Sequence, residues 1–509
     1  MFIKVNSFGL TGMDAYRVQV EIDLSRGMPA FEIVGLPDAA VKEARDRVRA
    51  ALLNGGYTFP VGRVVANLAP ASLRKVGSLY DLPLFVGLLR VAGALSCPLD
   101  DCAFLGELSL SGAVSRVNGV LPMVLKAREQ GIRSVYVPAE NAAEGAVAEG
   151  IDVYPVANVA ELIAHLEGET PLTPTRAEPF VEGVSASTLL DYRDVKGQAA
   201  AKRALEIAAA GGHNLLMIGP PGSGKSMLAK RLPSILPPLT FEEAVEITKI
   251  HSIAGLLPPG ASLVKTRPYR HPHHTVSAVA LSGGTAVPRP GEVSLAHRGV
   301  LFLDELPEFS RQAMEVLRQP MEDGCVSIAR ASGTCTYPCS VMLVGAMNPC
   351  KCGYFGHPTR PCTCSPSSVA RYLSRVSGPL LDRIDLHVEV MPVEFEKLSS
   401  QTKGEPSAAI RERVCRAREM QTQRYAGLGI GCNAHITTAM LGDFCAMTPA
   451  ATALLGRAFD AMGLSARAYD RILKVARTIA DLDGGGTIDA QHVAEAVQYR
   501  ALDRKYWNR

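Results

Sequence analysis

The chain has 509 residues, longer than one hydrophobic core usually grows, so about two to four domains are expected. Hydrophobic residues make up 47% and charged residues 20%, a soluble globular balance that argues against a disordered or membrane-embedded chain. A net charge of +3 neither supports nor excludes a nucleic-acid partner, which has to be argued from local basic patches.

The opening MFIKVNSFGLTG has no basic stretch followed by an apolar run and a small-residue cleavage site. The longest apolar runs, such as Leu215 to Ile218 and Val300 to Leu303, are strand-sized and far short of the roughly 20 residues of a membrane span. A cytoplasmic protein is expected. Residues 1–165 alternate β-rich runs (Tyr16 to Ile22, Val64 to Leu68, Ser134 to Val137) with helical stretches such as Ala39 to Leu53, which predicts a first α/β domain. Residues 166–188, rich in Pro, Thr, Glu and Ser, predict a linker. Residues 189–392 run helix, strand, Gly-rich loop, helix and then further buried-type strands at Val300 to Leu303 and Val341 to Ala346, the pattern of a parallel-sheet nucleotide-binding domain. Residues 393–509 predict a helical domain with helices at Arg411 to Arg424, Pro449 to Met462, Ala466 to Leu482 and Ala490 to Arg500.

In LLMIGPPGSGKSMLAKRL an apolar strand leads into Gly219, Pro220, Pro221, Gly222, Ser223, Gly224, Lys225 and Ser226, and then into a helix. That is a P-loop in its required context. Its glycines let backbone N–H groups turn inward around the phosphates of ATP, Lys225 reaches the β- and γ-phosphates, and Ser226 is a ligand for Mg²⁺. Further on, GVLFLDEL ends a buried strand in Asp304 and Glu305; the first suits the metal and the second the attacking water. The strand VMLVGAMNP ends in Asn348, placed to orient the water or the γ-phosphate.

Two clusters stand outside these motifs. KTRPYRHPHH interleaves Lys265, Arg267 and Arg270 with Tyr269 and histidines, which suits DNA contact; His271, His273 and His274 are equally packed turn residues or metal ligands. Cys350, Cys352, Cys362 and Cys364 make two CxC pairs, either four Zn²⁺ ligands or four reduced thiols on a loop.

The order GPPGSGKS, LFLDEL, VGAMNP, GPLLDRIDLHVEV and SARAYDRILKVARTIADL resembles the AAA+ ATPases of the magnesium-chelatase group. HNLLMIGPPGSGKSMLAKRLPSILPPL, PGEVSLAHRGVLFLDELPEF and NPCKCGYFG resemble the YifB/ComM family more closely, over nearly the whole chain, with Lys351 where that family typically has Pro. The resemblance implies a P-loop AAA+ parallel-sheet domain with a C-terminal helical lid, working as a hexameric DNA branch-migration helicase of natural transformation. It implies that Arg383 in LLDRID is an arginine finger for a neighbouring subunit's γ-phosphate and that Arg467 is the sensor-2 arginine of the lid. It also makes CVSIARASGTCTYP the pre-sensor hairpin, with Arg330 either a DNA-backbone contact in the ring's pore or part of an ordinary surface hairpin. Residues 106–131 are similar to the Lon proteolytic domain, but the serine position of its Ser–Lys dyad falls at Tyr80 or Asp81 and the lysine position at Pro122. A Lon-like, non-proteolytic N-terminal α/β domain is expected. The competing expectation is a chelatase-type or protein-remodelling ATPase that does not act on DNA; an ATP-independent scaffold is the third.

Overall fold

The computed structural model describes residues 1–182, 190–284, 288–330, 333–393 and 404–507. Its first strands are β1 (Phe2–Thr11), β2 (Asp14–Ser25), β3 (Ala30–Val34), β4 (Arg63–Ala69) and β5 (Cys102–Phe104). A short hairpin of β6 (Glu107–Leu108) and β7 (Val114–Ser115) follows, then β8 (Ser134–Pro138) and β9 (Asp152–Val156). Seven of these form one mixed sheet in the order β3-β4-β2-β1-β5-β8-β9. β1 and β2 pair antiparallel along their length, whereas β5, β8 and β9 run parallel. Side chains alternate between two cores: Val5, Phe104 and Tyr136 belong to one, Phe8, Ala103 and Val135 to the other. Helix Ala39–Asn54 packs Val41, Ala44, Val48, Ala51 and Leu52 into the first core, and Asp38 caps it by accepting from the Val41 N–H at 2.8 Å.

The second sheet contains β10 (Leu215–Ile218), β11 (Tyr269–Arg270), β12 (Val300–Leu303), β15 (Met342–Met347) and β16 (Leu386–Glu389), with the hairpin β13 (Cys325–Arg330) and β14 (Gly333–Pro338) between β12 and β15 in sequence. Its order is β11-β12-β15-β10-β16, and every pairing is parallel. β10 and β12 are buried at all four residues, as strands covered on both faces must be. Leu215 and Met217 point into a core shared with the helical region, Leu216 and Ile218 into a core shared with the hairpin and the C-terminal helix Ala501–Trp507. Because all strands are parallel, the residues that follow β10, β12 and β15 emerge at one edge.

Helices Ser407–Arg424, Pro449–Met462 and Ala466–Leu482 pack against this sheet and its helix Ala199–Gly211. Thr448 and Ser465 cap two of them by accepting from the N–H groups of Ala451 and Ala468. The helix expected over Ala490 to Arg500 ends at Gln498. The Tyr499 carbonyl accepts from the His387 N–H of β16 at 2.9 Å, which diverts it from the helix ladder, and the Arg500 guanidinium turns in to the Ile384 carbonyl at 2.6 Å. Among the described residues, no helix is long and apolar enough to cross a membrane.

Candidate active site

The loop from Gly219 to Ser226 follows β10, which lies between β15 and the edge strand β16. Gly219 is pressed against the main chain beyond β16, where a Cβ would lie 2.1 Å from the Val390 carbonyl oxygen. Gly222 and Gly224 adopt φ of 77° and 94°, a left-handed backbone that strains any other residue. The Lys225 ammonium turns into the loop, donating to the Gly219 carbonyl at 2.7 Å and the Pro220 carbonyl at 2.9 Å, and to the Asn348 side-chain oxygen at 3.2 Å. Burial pushes this lysine down to about 8, against the pull of the Asp304 carboxylate. A buried ammonium held only by neutral oxygens is suited to gain an anionic partner such as a phosphate.

The Ser226 hydroxyl donates to Asp304 at 2.6 Å. These are two hard oxygen ligands already in contact, the donor set Mg²⁺ prefers. Asp304 also accepts from the N–H of Glu305 at 2.9 Å, and Glu305 sits at φ 52°, a left-handed turn that carries its carboxylate off the strand direction. Pairing of β11 with β12 matches Tyr269 with Val300 and Arg270 with Leu301, and the same offset brings His274 beside Glu305, with Nδ1 and the carboxylate 3.2 Å apart. The histidine cluster read as turn residues or metal ligands thus supplies one residue to this edge. Lys225, Ser226, Asp304, Glu305 and Asn348 are brought together.

The two arginines are elsewhere. Arg383 and Arg467 line a cavity of about 730 Å³ with Asn214, Asp385, Arg471 and Lys474, and no P-loop residue borders it. Asn214 precedes β10 and Gly219 follows it, so the cavity and the P-loop sit at opposite ends of a four-residue strand, roughly 13 Å long. Arg383 donates to the Pro379 carbonyl at 2.7 Å and pairs with Glu322, while its buried Nε has no partner. Arg467 is exposed at the first turn of its helix; four residues on, Arg471 pairs with Asp385. Despite burial, Arg471 and His213 hold the Asp385 carboxyl well below the usual carboxylate range.

The basic patch at 265–274 does not form an exposed cationic face. Arg267 donates to the carbonyls of Pro237, Pro238 and Arg298 and pairs with Glu243 at 2.8 Å, which is a structural clamp. Arg270 makes a two-pronged pair with Glu292 at 2.7 and 2.8 Å, leaving Lys265 in an open surface pair with Glu178. Both guanidiniums thus have acidic partners within the chain, Arg267 mostly buried and Arg270 partly exposed. Of the hairpin, the Arg330 side chain, Ala331 and Ser332 lie outside the described residues. The four clustered cysteines place their Sγ atoms within 4.8 Å of one another. In the N-terminal region, Tyr80 and Asp81 at the start of helix Asp81–Val91 and Pro122 in helix Val120–Glu129 are buried, and Asp81 is tied to Arg47 at 2.7 Å.

Three stretches match magnesium chelatase subunit ChlI families: residues 20–141, 191–398 and, for the C-terminal part of that subunit, 404–500. YifB of Salmonella typhimurium is 43% identical over 508 residues, covering 98% of this chain and 97% of its own. The competence protein ComM of Haemophilus influenzae is 42% identical over 500 residues, covering 97% and 96%. A magnesium-chelatase 67 kDa subunit of Chlorobaculum tepidum is 29% identical over 167 residues, only 32% of this chain and 24% of its own. With a nucleotide-type edge built on a parallel sheet and full-length likeness of this degree, the chain belongs to the YifB/ComM family of magnesium-chelatase-like AAA+ proteins.

Proposed function

We propose that this protein is a ring-forming ATPase that acts as a DNA motor, a branch-migration helicase or translocase serving recombination and natural transformation in the cytoplasm. The separation of the P-loop from Arg383 and Arg467 by the length of β10 carries this reading, because an active site that needs both ends is completed only by a second subunit. In it, Ser226 and Asp304 hold Mg²⁺, Lys225 meets the β- and γ-phosphates, Glu305 polarises the attacking water and Asn348 orients it. Bound Mg²⁺ neutralises charge on the phosphate oxygens. Arg383 and Arg467 come from the neighbouring protomer of a homo-oligomer, a hexamer on this reading, and DNA is contacted by the hairpin bearing Arg330. Residues 1–165 serve as a Lon-like, non-proteolytic unit for assembly or DNA guidance, joined by the 166–188 linker to a motor at 189–392 and a helical lid at 393–509. The four cysteines take one Zn²⁺.

The near full-length likeness to a competence protein supports the DNA reading. The shorter match to a magnesium-chelatase subunit favours the second reading, an engine of the same kind acting on a protein partner. ATPase rates with and without single-stranded and four-way-junction DNA separate the two, with Lys225→Ala as the inactive control. The motor reading expects severalfold stimulation by DNA and junction displacement; a rate indifferent to DNA with the junction intact would leave the second reading standing.

A further inference from the structure

We propose that Cys350, Cys352, Cys362 and Cys364 bind one Zn²⁺ ion, and that the loop closed by this metal is a strut fixing Asn348 and the P-loop, so that zinc occupancy sets the turnover of the ATP site. The inference rests on the ATPase reading above and adds a regulator to it.

The sulfur geometry comes first. Cys350 and Cys352 lie 3.3 Å apart, Cys350 and Cys362 3.6 Å, and Cys352 and Cys362 3.5 Å, with Cys364 completing a group whose atoms all fall within 4.8 Å. A tetrahedral Zn²⁺ site with bonds of about 2.3 Å has sulfur–sulfur edges of roughly 3.8 Å, whereas a disulfide would bring two of them to about 2.05 Å. All four are free cysteines. The Cys364 N–H donates to the Cys362 sulfur at 3.4 Å, a contact that stabilises a thiolate. The residues from Pro349 to Cys364 form no helix or strand, so no backbone ladder holds this loop in place. A four-thiolate metal supplies the missing constraint.

The loop is joined to the ATP site in two places. Cys350 is two residues past Asn348 across the rigid Pro349, and the Asn348 side chain touches Lys225 at 3.2 Å. Gly353, at φ 84°, packs so closely on the P-loop that a Cβ there would lie 2.4 Å from Pro221 Cδ. On its far side the loop rests on the C-terminal helix, where Phe355 meets Tyr506 with ring centroids 6.4 Å apart, and that helix is tied in turn to β16 through Lys505 and Glu389 at 2.7 Å. Metal, loop and C-terminal helix therefore brace the two elements that orient the phosphates. Phosphate affinity comes chiefly from Lys225 and the loop backbone, so loss of the strut should cost turnover more than binding. A displacement of about 1 Å at the reacting groups is worth up to about a hundredfold in rate.

The test uses full-length protein in the wild-type, Cys362→Ser and Gly353→Ala forms, with zinc by elemental analysis, kcat, ATP affinity by equilibrium binding, and oligomeric state. Wild type is expected to carry about one equivalent of zinc. Cys362→Ser should lose it and drop kcat by about ten- to a hundredfold, with ATP affinity within about threefold. Gly353→Ala keeps all four thiols and should keep zinc while losing turnover, which separates the strut from metal binding. Stripping zinc from the wild type with a chelator and restoring it should lower and recover kcat in one preparation, which covers a variant that misfolds. Zinc-free wild type, or zinc lost with kcat unchanged, overturns the proposal and leaves the ATPase reading intact. A zinc-loaded wild type without ATPase activity instead sinks the underlying reading, and the strut with it.

Discussion

The two ends of the ATPase sheet handle their cations differently. At the end where β10, β12 and β15 finish, the Lys225 ammonium is enclosed by carbonyls and Asn348, and Ser226 already touches Asp304, so the parts are assembled within one chain. At the opposite end Arg383 leans on a half-exposed Glu322 with its Nε unpartnered, and Arg467 stands exposed on the same cavity. One end is finished by the fold; the other carries positive charge that its own chain only partly answers. On the proposed reading that difference is what one subunit offers the next.

The sharpest way to break the comparison is to damage each end in a different subunit. Arg383→Ala is expected to lower kcat by about a thousandfold, in the range of other arginine fingers, and Lys225→Ala to abolish turnover. Mixing the two inactive proteins should restore part of the wild-type rate, because an intact P-loop then faces an intact Arg383 across some interfaces. If the mixture is no more active than its parents, the two ends do not form a shared site.

The assembled end was legible in the sequence and the other features less so, for reasons of distance along the chain. The P-loop is a local signal: strand, glycines, lysine and helix lie within one short stretch, and β10 falls on the expected Leu215 to Ile218. The helices Pro449–Met462 and Ala466–Leu482 were equally readable, because a Thr-Pro start and an apolar stripe are local too. The partners of Arg267 were not legible, because a run of cations does not reveal that Glu243, on the helix Phe241–Ile253, and three carbonyls will surround it. His274 next to Glu305 is invisible without knowing that β11 pairs with β12 in parallel and at what offset. That Arg467 would share a cavity with Arg383 and not with its own P-loop depends on how the helical region packs, which no motif encodes.

A smaller effect sharpens the description of the enclosed end. Burial holds Lys225 down to about 8, and a bound phosphate would favour its charged form and raise that value. Below about pH 8 the ammonium is already charged and ATP affinity should be flat in pH; above it, binding must take up a proton. The dissociation constant should then rise by up to about tenfold per pH unit. Lys225→Arg, which stays protonated throughout, should abolish the slope in titrations by equilibrium binding. A wild-type affinity that is flat from pH 7.5 to about 9.5 would mean that this lysine is not the buried partner of the phosphates.

The smallest expected effect tests the histidine that the sheet offset brings to the site. His274 is 3.2 Å from a Glu305 carboxylate that is 57% exposed, and contacts of that kind contribute about 1 kcal/mol or less. If the contact aims Glu305 at the attacking water, His274→Ala should lower kcat by about three- to fivefold with the KM for ATP unchanged, since the phosphates are held by other groups. Glu305→Gln removes the carboxylate itself and should cost far more, so adding His274→Ala to it should have no further effect. A double variant slower than Glu305→Gln alone would place His274 in some role other than orienting that carboxylate.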